Sequence, residues 1–336
     1  MTVALTLHIH GLGHFNPENV IDNRFLEELG IGTTDEWILE RVGIRARRTV
    51  LPLDYLRETK NADWQAGQEA ALYSNAETGK RAALLALERA GLKASDLGMV
   101  IAGGCAPDRS IPAEACSIAA ALGIEVPALD ITSACSSFGA QLHLLSRMLE
   151  LPPYVLVVNA ENNTRVVDYR DRTTAVLWGD GSSAAIVSTE VPARLRLVKT
   201  ALASSPAGAD DVVIPRHGHF RQNGSVVQRF AIKNTGLLLE AMLPEARERA
   251  KRTGGRFRFI GHQANLLMLQ AVARRAELGG EEHWSDVEEY GNTAAAGAPS
   301  VLSRRWDELQ GGDVIALAVV GSGLTWASAL FEVEAG

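Results

Sequence analysis

The sequence predicts an α/β protein built around a mostly buried sheet, and three properties of its 336 residues support this prediction. Short apolar runs of strand length alternate with helical patterns, as in proteins that cover a sheet with helices. The composition, with 46% hydrophobic and 22% charged residues, is that of an ordinary globular protein. The apolar runs stop well short of the roughly 18–20 residues needed to span a bilayer. We therefore expect no membrane partner, and the length suits two average domains or one large domain with a generous core.

Alternation and capping patterns define the first predicted elements. Val3–His10 has apolar residues at alternate positions and is predicted as a strand that the Gly11–Gly13 turn ends. A helix is predicted after Thr34, which offers a hydroxyl cap followed by acidic residues, and Val42-Gly43 ends it. The next segment, Leu51–Ser74, is polar and mixed and has no assignment.

A strong amphipathic helix is predicted over Thr78–Ala90, with Gly91 ending it. A second helix is predicted over Ser136–Leu149, where apolar side chains repeat on one face. Three apolar segments of strand length accompany these helices: Leu97–Ala102, Pro127–Ile131 and Tyr154–Asn159.

The same alternation repeats after a seam near Ser188–Arg194, so we expect two pseudo-duplicated halves, residues 1–189 and 190–336. In the second half, helices are predicted over 234–252, 265–278 and 295–309, and strands over 256–260, 314–320 and 326–333.

Charge and cysteine content exclude several classes of protein. The 33 basic and 40 acidic residues give a formal net charge of −7, and no concentrated basic face predicts a nucleic-acid partner. The N-terminal segment has neither a basic region nor a small-residue cleavage site, so we expect no signal peptide. Cys105, Cys116 and Cys135 form no CxxC pair; we therefore expect no disulfide framework and a cytoplasmic location.

Cys135 is the first candidate for chemistry. It lies in Asp-Ile-Thr-Ser-Ala-Cys-Ser-Ser, where a predicted strand passes directly into a helix. A thiol at a helix N-terminus lies near unpaired N–H groups and the positive end of the helix dipole, and both lower its pKa from the usual value of about 8.5. A buried structural cysteine is the competing interpretation. We assign that role to Cys105 and Cys116, which lack this setting.

Two further polar residues lie at the ends of predicted elements. His262 follows a strand in Gly-His-Gln-Ala-Asn, and Asn292 precedes a helix in Tyr-Gly-Asn-Thr-Ala. A satisfied structural histidine and an ordinary N-cap asparagine are the competing interpretations. Together with Cys135, the two residues offer a nucleophile, a base or hydrogen-bond donor, and a neutral amide donor.

Glycine turns and histidine pairs complete the candidates. The turn containing Gly321 and Ser322 separates two apolar strands, and its N–H groups suit either an oxyanion hole or a plain hairpin. The segment Trp-Gly-Asp-Gly that begins at Trp178 matches no phosphate-binding loop and is interpreted as a structural turn. The two His-x-His pairs lack further ligands at suitable spacing, so no metal site is predicted.

Together these motifs resemble those of the ketoacyl synthase III family. The resemblance rests on TSACSSFGA around Cys135, GHQAN at His262, YGNTAAAGAPS at Asn292 and GSGLTWAS near the C-terminus. TDEWI from Thr34 and LWGDGSSAA from Leu177 also match, and the order agrees along nearly the whole chain. The resemblance implies a thiolase fold, with five layers αβαβα made of two pseudo-duplicated halves, and a homodimer.

The resemblance also implies a mechanism. Cys135 attacks an acyl-CoA or acyl carrier protein (ACP) thioester, and the N–H groups of Cys135 and Ser322 hold the oxyanion. His262 and Asn292 stabilise the enolate that forms as malonyl-ACP or malonyl-CoA loses CO₂. The product is a β-ketoacyl chain, as in fatty acid and polyketide biosynthesis, and no cofactor beyond these thioesters is implied. Three residues match positions that hold coenzyme A: Trp37, Arg41 and Arg165.

Three features depart from the family pattern. Leu267 replaces a basic residue that commonly helps to dock ACP. Ile111 corresponds to an aromatic residue that often gates the acyl pocket from across the dimer, and its smaller side chain predicts room for a longer or branched chain. We also expect Leu51–Ser74 to be longer than in housekeeping members. These departures indicate a specialised pathway.

Other reactions on the same scaffold stay open at this point. Acyl transfer from CoA or ACP to a hydroxyl or amine would use the same Cys135 step, with His262 as general base. A further alternative joins two acyl chains without decarboxylation. Basic patches for ACP, at Arg45, Arg47 and Arg48 or at Arg274 and Arg275, compete with the interpretation of ordinary surface charge.

Overall fold

The computed structural model describes residues 6–334, and a nine-stranded sheet runs through the middle of them. The strands of the first half of the chain are β1 (His8–Phe15), β2 (Asn19–Asp22), β3 (Ala46–Thr49), β4 (Met99–Gly103), β5 (Ala128–Asp130), β6 (Val155–Glu161) and β7 (Gly181–Ser188). Those of the second half are β8 (Leu195–Ser204), β9 (Val212–Val213), β10 (Arg221–Gln222), β11 (Phe257–Gly261), β12 (Val314–Gly321) and β13 (Thr325–Val333).

Strand pairing repeats between the two halves of the sheet, whose order is β11-β12-β13-β8-β1-β7-β6-β4-β5. In the first half, β6 is parallel to β4 and antiparallel to β7, which is antiparallel to β1. In the second half, β12 is parallel to β11 and antiparallel to β13, which is antiparallel to β8. The halves meet where β1 pairs with β8 at two positions only. On this repeated pairing we propose that residues 1–189 and 190–336 are duplicated units.

Helices cover both faces of the sheet. Those of the first half are α1 (Asn23–Glu28), α2 (Asp35–Val42), α3 (Leu53–Thr59), α4 (Trp64–Ala70), α5 (Asn75–Ala90), α6 (Glu114–Leu122), α7 (Ser137–Leu145) and α8 (Arg172–Ala175). Those of the second half are α9 (Gly224–Thr253), α10 (Leu266–Arg275), α11 (Val287–Tyr290) and α12 (Ala294–Arg304).

The helices α7 and α12 form the middle layer. Helix α12 packs on β1, β7 and β6 of the opposite half, α7 packs on β8 and β13, and the two helices contact each other. Helices α5 and α6 cover the outer face of the first half, and α9 and α10 cover that of the second. The layers are therefore αβαβα, as expected. No helix within residues 6–334 is long and apolar enough to cross a membrane.

The first predicted strand is wrong in its position. Residues 3–5 of the prediction lie outside the described range, and β1 runs from His8 through both glycines of the predicted turn to Phe15. The glycines lie inside the strand because helix α5 crosses it closely. A Cβ at Gly11 would lie 2.1 Å from the carbonyl oxygen of Ala86, and one at Gly13 would lie 1.9 Å from that of Ala82.

Most other predicted boundaries agree with the structure within a few residues. Helix α2 begins after Thr34, whose hydroxyl accepts a hydrogen bond from the N–H of Trp37, and ends at Gly43 in the left-handed region. Helix α5 ends at Gly91 as predicted, and a capping box at Ser74 starts it earlier. The unassigned segment Leu51–Ser74 contains α3 and α4, and α9 begins ten residues before the predicted start at position 234.

Candidate active site

Two connected cavities lie at the seam between the halves. The larger, of about 380 Å³, is lined by Cys135, His262 and Asn292, which come from three separate predicted motifs. The smaller, of about 280 Å³, is lined by Cys105, Cys135 and a set of mainly apolar side chains. Cys135 therefore lies where the two cavities meet.

The turn before α7 presents Cys135 to both cavities. Ala134 has a φ of 46°, and the sharp turn that follows leaves Cys135 7% exposed. Ser136 closes the turn by donating its hydroxyl to the carbonyl oxygen of Ser133 at 2.7 Å. Gly321 packs directly against the turn, because a Cβ there would lie 2.8 Å from the nitrogen of Ser136 and 3.1 Å from that of Cys135. The C-terminal glycine turn thus touches the nucleophile, as an oxyanion hole requires.

The thiol of Cys105 lies beside that of Cys135, and the sequence analysis did not predict this contact. The sulfur of Cys105 is 3.6 Å from that of Cys135. A hydrogen bond from Cys105 is the largest effect that lowers the pKa of Cys135, burial opposes it, and a hydrogen bond and positive charge from His262 lower it further, to about 5. The pKa of Cys105 is raised in turn by its bond with Cys135 and by burial. Cys135 is therefore the thiolate of the pair at neutral pH, and Cys105 stays protonated.

Cys105 was assigned a structural role because its sequence lacks the setting of Cys135, and the structure places its sulfur beside the nucleophile. It follows β4, whereas Cys135 follows β5, and β4 and β5 are parallel neighbours. The carboxyl ends of parallel neighbours meet at one sheet edge, so both sulfurs arrive at the same place. The sequence analysis predicted the two strands, at Leu97–Ala102 and Pro127–Ile131. Predicting the contact between the two cysteines would also have required knowing that these strands pair in parallel.

His262 lies directly after β11 and is 4% exposed. Within the described residues its Nδ1 has no hydrogen-bond partner, and its proximity to Cys135 lowers the pKa of that thiol. The backbone beyond it is fixed because Asn265 caps α10 by accepting a hydrogen bond from the N–H of Met268 at 3.1 Å. His262 lines the larger cavity.

Asn292 makes a capping contact and also lines the larger cavity. Its Oδ1 accepts a hydrogen bond from the N–H of Ala294 at 2.9 Å, at the start of α12. Its backbone bonds to the strand-like segment at Leu177 and Gly179, at 2.8 and 3.1 Å. Within the described chain no acceptor bonds to its Nδ2. The capping contact therefore orients the amide so that an unused donor remains in the cavity.

Ser322 of the glycine turn lines both cavities. Its hydroxyl donates to the carbonyl oxygen of Val212 at 2.5 Å, which fixes the turn. The backbone N–H groups of Ser322 and Cys135 have no backbone acceptor within residues 6–334. Two unpaired N–H groups from adjoining turns suit an anionic oxygen.

The mouth of the larger cavity carries an aromatic ring between two cations. The guanidinium carbons of Arg41 and Arg172 lie 4.4 and 4.9 Å from the ring centroid of Trp37. Trp37 and Arg41, which the sequence analysis named, line the cavity. Arg172 was not predicted, and it precedes Thr173, which also lines the cavity. Stacked rings and guanidinium groups suit an adenine base with phosphates.

The coenzyme A role predicted for Arg165 is wrong. Its side chain is buried, with the whole residue 3% exposed, and it lines neither cavity. Its guanidinium group bonds to Asp108 at 2.5 Å, to Asn75 at 3.0 Å and to two backbone carbonyls. These contacts occupy four of its five N–H donors, and the residue lines neither cavity, so it is not placed to bind a phosphate there. Arg172, in the same segment of the chain, is the arginine that reaches Trp37.

Glu161 is a further residue that the sequence analysis missed. It is fully buried at the end of β6, where it accepts hydrogen bonds from the backbone of Cys105 and of Ala295, both at 3.1 Å. Burial first, and the nearby Cys135 thiolate second, raise its pKa to about 8. A protonated carboxyl thus joins the loop of Cys105 to the start of α12, without placing a second negative charge beside the thiolate.

Several other predicted positions lie away from the cavities. Ile111 is 83% exposed and lines neither cavity, so its gating role stays a prediction about a second chain. Leu267 is half-buried on α10. Arg47 is fully buried and bonds to the carbonyl oxygen of Val176, which excludes it from a docking patch. Asp180 of the Trp-Gly-Asp-Gly segment accepts hydrogen bonds from neighbouring loops, in agreement with a structural turn.

No group of three or more histidine, cysteine or acidic side chains suited to a metal ion occurs in the described residues. The groups at the larger cavity and its glycine turn include a thiolate, an imidazole, an amide and two backbone N–H groups.

Comparisons with known proteins agree with this geometry. The family model described as 3-oxoacyl-[acyl-carrier-protein (ACP)] synthase III matches residues 129–206, and the model of its C-terminal part matches residues 257–333. The β-ketoacyl-[acyl-carrier-protein] synthase III of Oceanobacillus iheyensis is 31% identical over 332 residues, covering 96% of this chain and 97% of that protein.

Solved structures give the same result. The chain is similar to 3-oxoacyl-[acyl-carrier-protein] synthase III from Aquifex aeolicus, with a TM-score of 0.81 and 27% identity over 97% of this chain and 99% of that one. It is also similar to the priming β-ketosynthase of the R1128 polyketide biosynthetic pathway, with a TM-score of 0.77 and 25% identity over 100% and 99% of the two chains.

Proposed function

The chain belongs to the 3-oxoacyl-[acyl-carrier-protein] synthase III family and is a ketosynthase with the thiolase fold, and we propose that Cys135, His262 and Asn292 carry out its chemistry. The reaction is a decarboxylative Claisen condensation that gives a β-ketoacyl product. The observation that carries the proposal for these residues is their convergence on one cavity, where His262 lowers the pKa of Cys135.

In the first half-reaction the Cys135 thiolate attacks the carbonyl carbon of an acyl thioester. The negative charge that develops on the carbonyl oxygen is stabilised by the N–H groups of Cys135 and Ser322. The carrier thiol leaves, and an acyl-enzyme remains. The low pKa of Cys135 means that no base has to remove its proton in this step.

In the second half-reaction a malonyl thioester enters the larger cavity and loses CO₂. The Nδ2 of Asn292 and the imidazole of His262 donate hydrogen bonds to the thioester oxygen as enolate charge develops. The resulting carbanion attacks the acyl-Cys135 carbonyl carbon, which forms the C–C bond and returns the thiolate. Each such donor typically contributes about 100- to 1000-fold to the rate.

The same geometry supports a proposal for the partners. We propose that CoA thioesters bind with the adenine on Trp37 and the phosphates near Arg41 and Arg172, and that malonyl-ACP supplies the extender unit. The proposal also includes a homodimer, a cytoplasmic location and no required cofactor. The exposed Ile111 suits a contact with a second copy of the chain, where it would gate an acyl pocket.

The proposal is tested by mass spectrometry of the intact protein after incubation with a panel of acyl-CoA and acyl-ACP donors. Wild type is expected to gain the mass of one acyl group, and Cys135→Ala is expected to gain none. The matched control is Cys116→Ala, which removes an exposed thiol outside both cavities and is expected to acylate like wild type.

A second measurement, of CO₂ released from malonyl-ACP, tests the condensation. His262→Ala is expected to accept the acyl group and to lose CO₂ release, because Cys105 and the start of α7 still favour the thiolate. An acyl-enzyme without malonyl-dependent CO₂ release in wild type would contradict condensation and favour transfer to another acceptor. An absent acyl adduct in His262→Ala would contradict this division of roles.

A further inference from the structure

Cys105 takes no covalent part in the condensation proposed above, where it only donates a hydrogen bond to the nucleophile, and its sulfur lies 3.6 Å from that of Cys135. A disulfide bond joins sulfurs at about 2.05 Å, so the pair lies roughly 1.5 Å from bonding distance. The third cysteine, Cys116, bonds instead to the carbonyl oxygen of Ala128 at the surface and provides an internal comparison.

The loops on both sides keep the two sulfurs together. Thr132, three residues before Cys135, donates its hydroxyl to the carbonyl oxygen of Gly104 at 2.7 Å. The N–H of Cys105 donates to Glu161 at 3.1 Å, which anchors that loop to β6. Strands β4 and β5, from which the loops emerge, are hydrogen-bonded neighbours. The proximity of the sulfurs is therefore part of the scaffold.

The two thiols differ in reactivity in the way that a redox pair requires. Cys135 is the thiolate and Cys105 is the thiol, as their opposite pKa shifts indicate. A thiolate attacks a peroxide, whereas a neighbouring thiol resolves the product. Both sulfurs line the smaller cavity, and Cys135 also lines the larger one, so a small oxidant reaches them from the seam.

We propose that Cys105 and Cys135 form a dithiol modification site that a hydroperoxide converts into a reversible disulfide. The Cys135 thiolate attacks one peroxide oxygen and breaks the O–O bond, which gives a sulfenic acid and, after protonation, water from hydrogen peroxide or an alcohol from an organic peroxide. The Cys105 thiol then attacks the sulfenic sulfur and expels a second water. Two thiols lose two electrons and two protons in all, and the peroxide takes them up.

The disulfide protects the Cys135 sulfur from irreversible oxidation. A sulfenic acid without a nearby thiol is oxidised further to sulfinic and sulfonic acids, which thiols do not restore. With Cys105 at 3.6 Å, the sulfenic acid is captured first. The protein then holds its nucleophile in an inactive but recoverable form.

Titration of free thiols before and after hydrogen peroxide tests the proposal, with the protein denatured in an alkylating reagent. Wild type is expected to fall from three free thiols to one and to return to three after dithiothreitol. Without alkylation, the intact oxidised protein is expected to be lighter by two hydrogen atoms. Peptide mapping without reduction is expected to find the segments of Cys105 and Cys135 joined.

Two variants sharpen the result. Cys116→Ser is expected to fall from two free thiols to none and to recover fully. Cys105→Ser is expected to gain oxygen atoms on Cys135 and not to recover with dithiothreitol. If wild type gains the same oxygen atoms without a disulfide, or if the disulfide includes Cys116, the proposal is overturned.

These readouts use no acyl donor. Failure of the condensing mechanism and failure of the dithiol site are therefore distinguished, and the wild-type peptide map decides the question even if Cys105→Ser does not fold.

Discussion

The Cys105→Ala substitution tests how the nucleophile is activated. In the structure a hydrogen bond from Cys105 is the largest effect lowering the pKa of Cys135, which reaches about 5. Removing a hydrogen bond to a charged group costs about 1.5–3 kcal/mol, or roughly one to two pKa units. We therefore expect the pKa of Cys135 in the variant to be about 6–7. The expected direction is upward, since the thiolate loses a donor and burial continues to oppose its charge.

The assay is the rate of Cys135 alkylation by iodoacetamide as a function of pH, followed by peptide mass. Only the thiolate reacts, so the rate rises with pH through the pKa and then levels off. At pH 6 the thiolate fraction is about 0.9 for a pKa of 5, and about 0.1–0.5 for a pKa of 6–7. The variant should therefore react about two- to tenfold more slowly at pH 6 and normally above pH 8.

Cys116→Ala is the matched control and should leave the midpoint of the pH profile unchanged. Cys105→Ser retains a donor and should lie between wild type and Cys105→Ala. A midpoint that does not move in Cys105→Ala would refute the activation by Cys105 and leave the helix terminus and His262 as the source of the low pKa.

Three further predictions follow from the site and its scaffold. Asn292→Asp retains the oxygen that caps α12 but loses the Nδ2 donor, so malonyl-dependent CO₂ release should fall by about 100- to 1000-fold with acylation intact; a loss below tenfold would count against the role. Arg165→Ala should lower the free energy of unfolding in urea by about 3 kcal/mol, because it leaves Asp108 without its buried partner. Arg172→Ala should instead raise the KM for acyl-CoA at nearly unchanged stability. A raised KM in Arg165→Ala and an unchanged KM in Arg172→Ala would support the predicted coenzyme A role of Arg165. Gly13→Ala should destabilise the protein by about 3 kcal/mol, measured in the same way, since its Cβ would lie 1.9 Å from a carbonyl oxygen of α5; wild-type stability would show that α5 moves freely.

Local signals were sufficient for much of the fold and for the main candidates. The hydroxyl before α2 and the glycines after α2 and α5 can be recognised as helix ends from the adjacent residues alone. In the structure the helices begin and end at those positions. Cys135 was found because a strand of small residues leads straight into a helix. His262 and Asn292 were recognisable because each follows or precedes an element within a family-like motif.

Features that depend on distant parts of the chain could not be predicted in this way. The glycines of β1 resembled a turn, and only their contact with α5 explains why they occupy a strand. Arg165 and Arg172 are equally plausible in sequence, and the burial of the first with Asp108 separates them. Cys105 gained its importance from the parallel pairing of β4 with β5.

The narrow junction of β1 with β8 has a consequence for the growing polypeptide. The first 188 residues complete one set of strands and already carry the reactive sulfur, whereas the imidazole and the carboxamide emerge from the ribosome later. The oxyanion hole also needs the N–H of Ser322, and residues of the second half line both cavities, so neither half-reaction is available to an unfinished chain. The acyl-accepting step and the condensing step therefore arise together, once the second set of strands has packed onto the first.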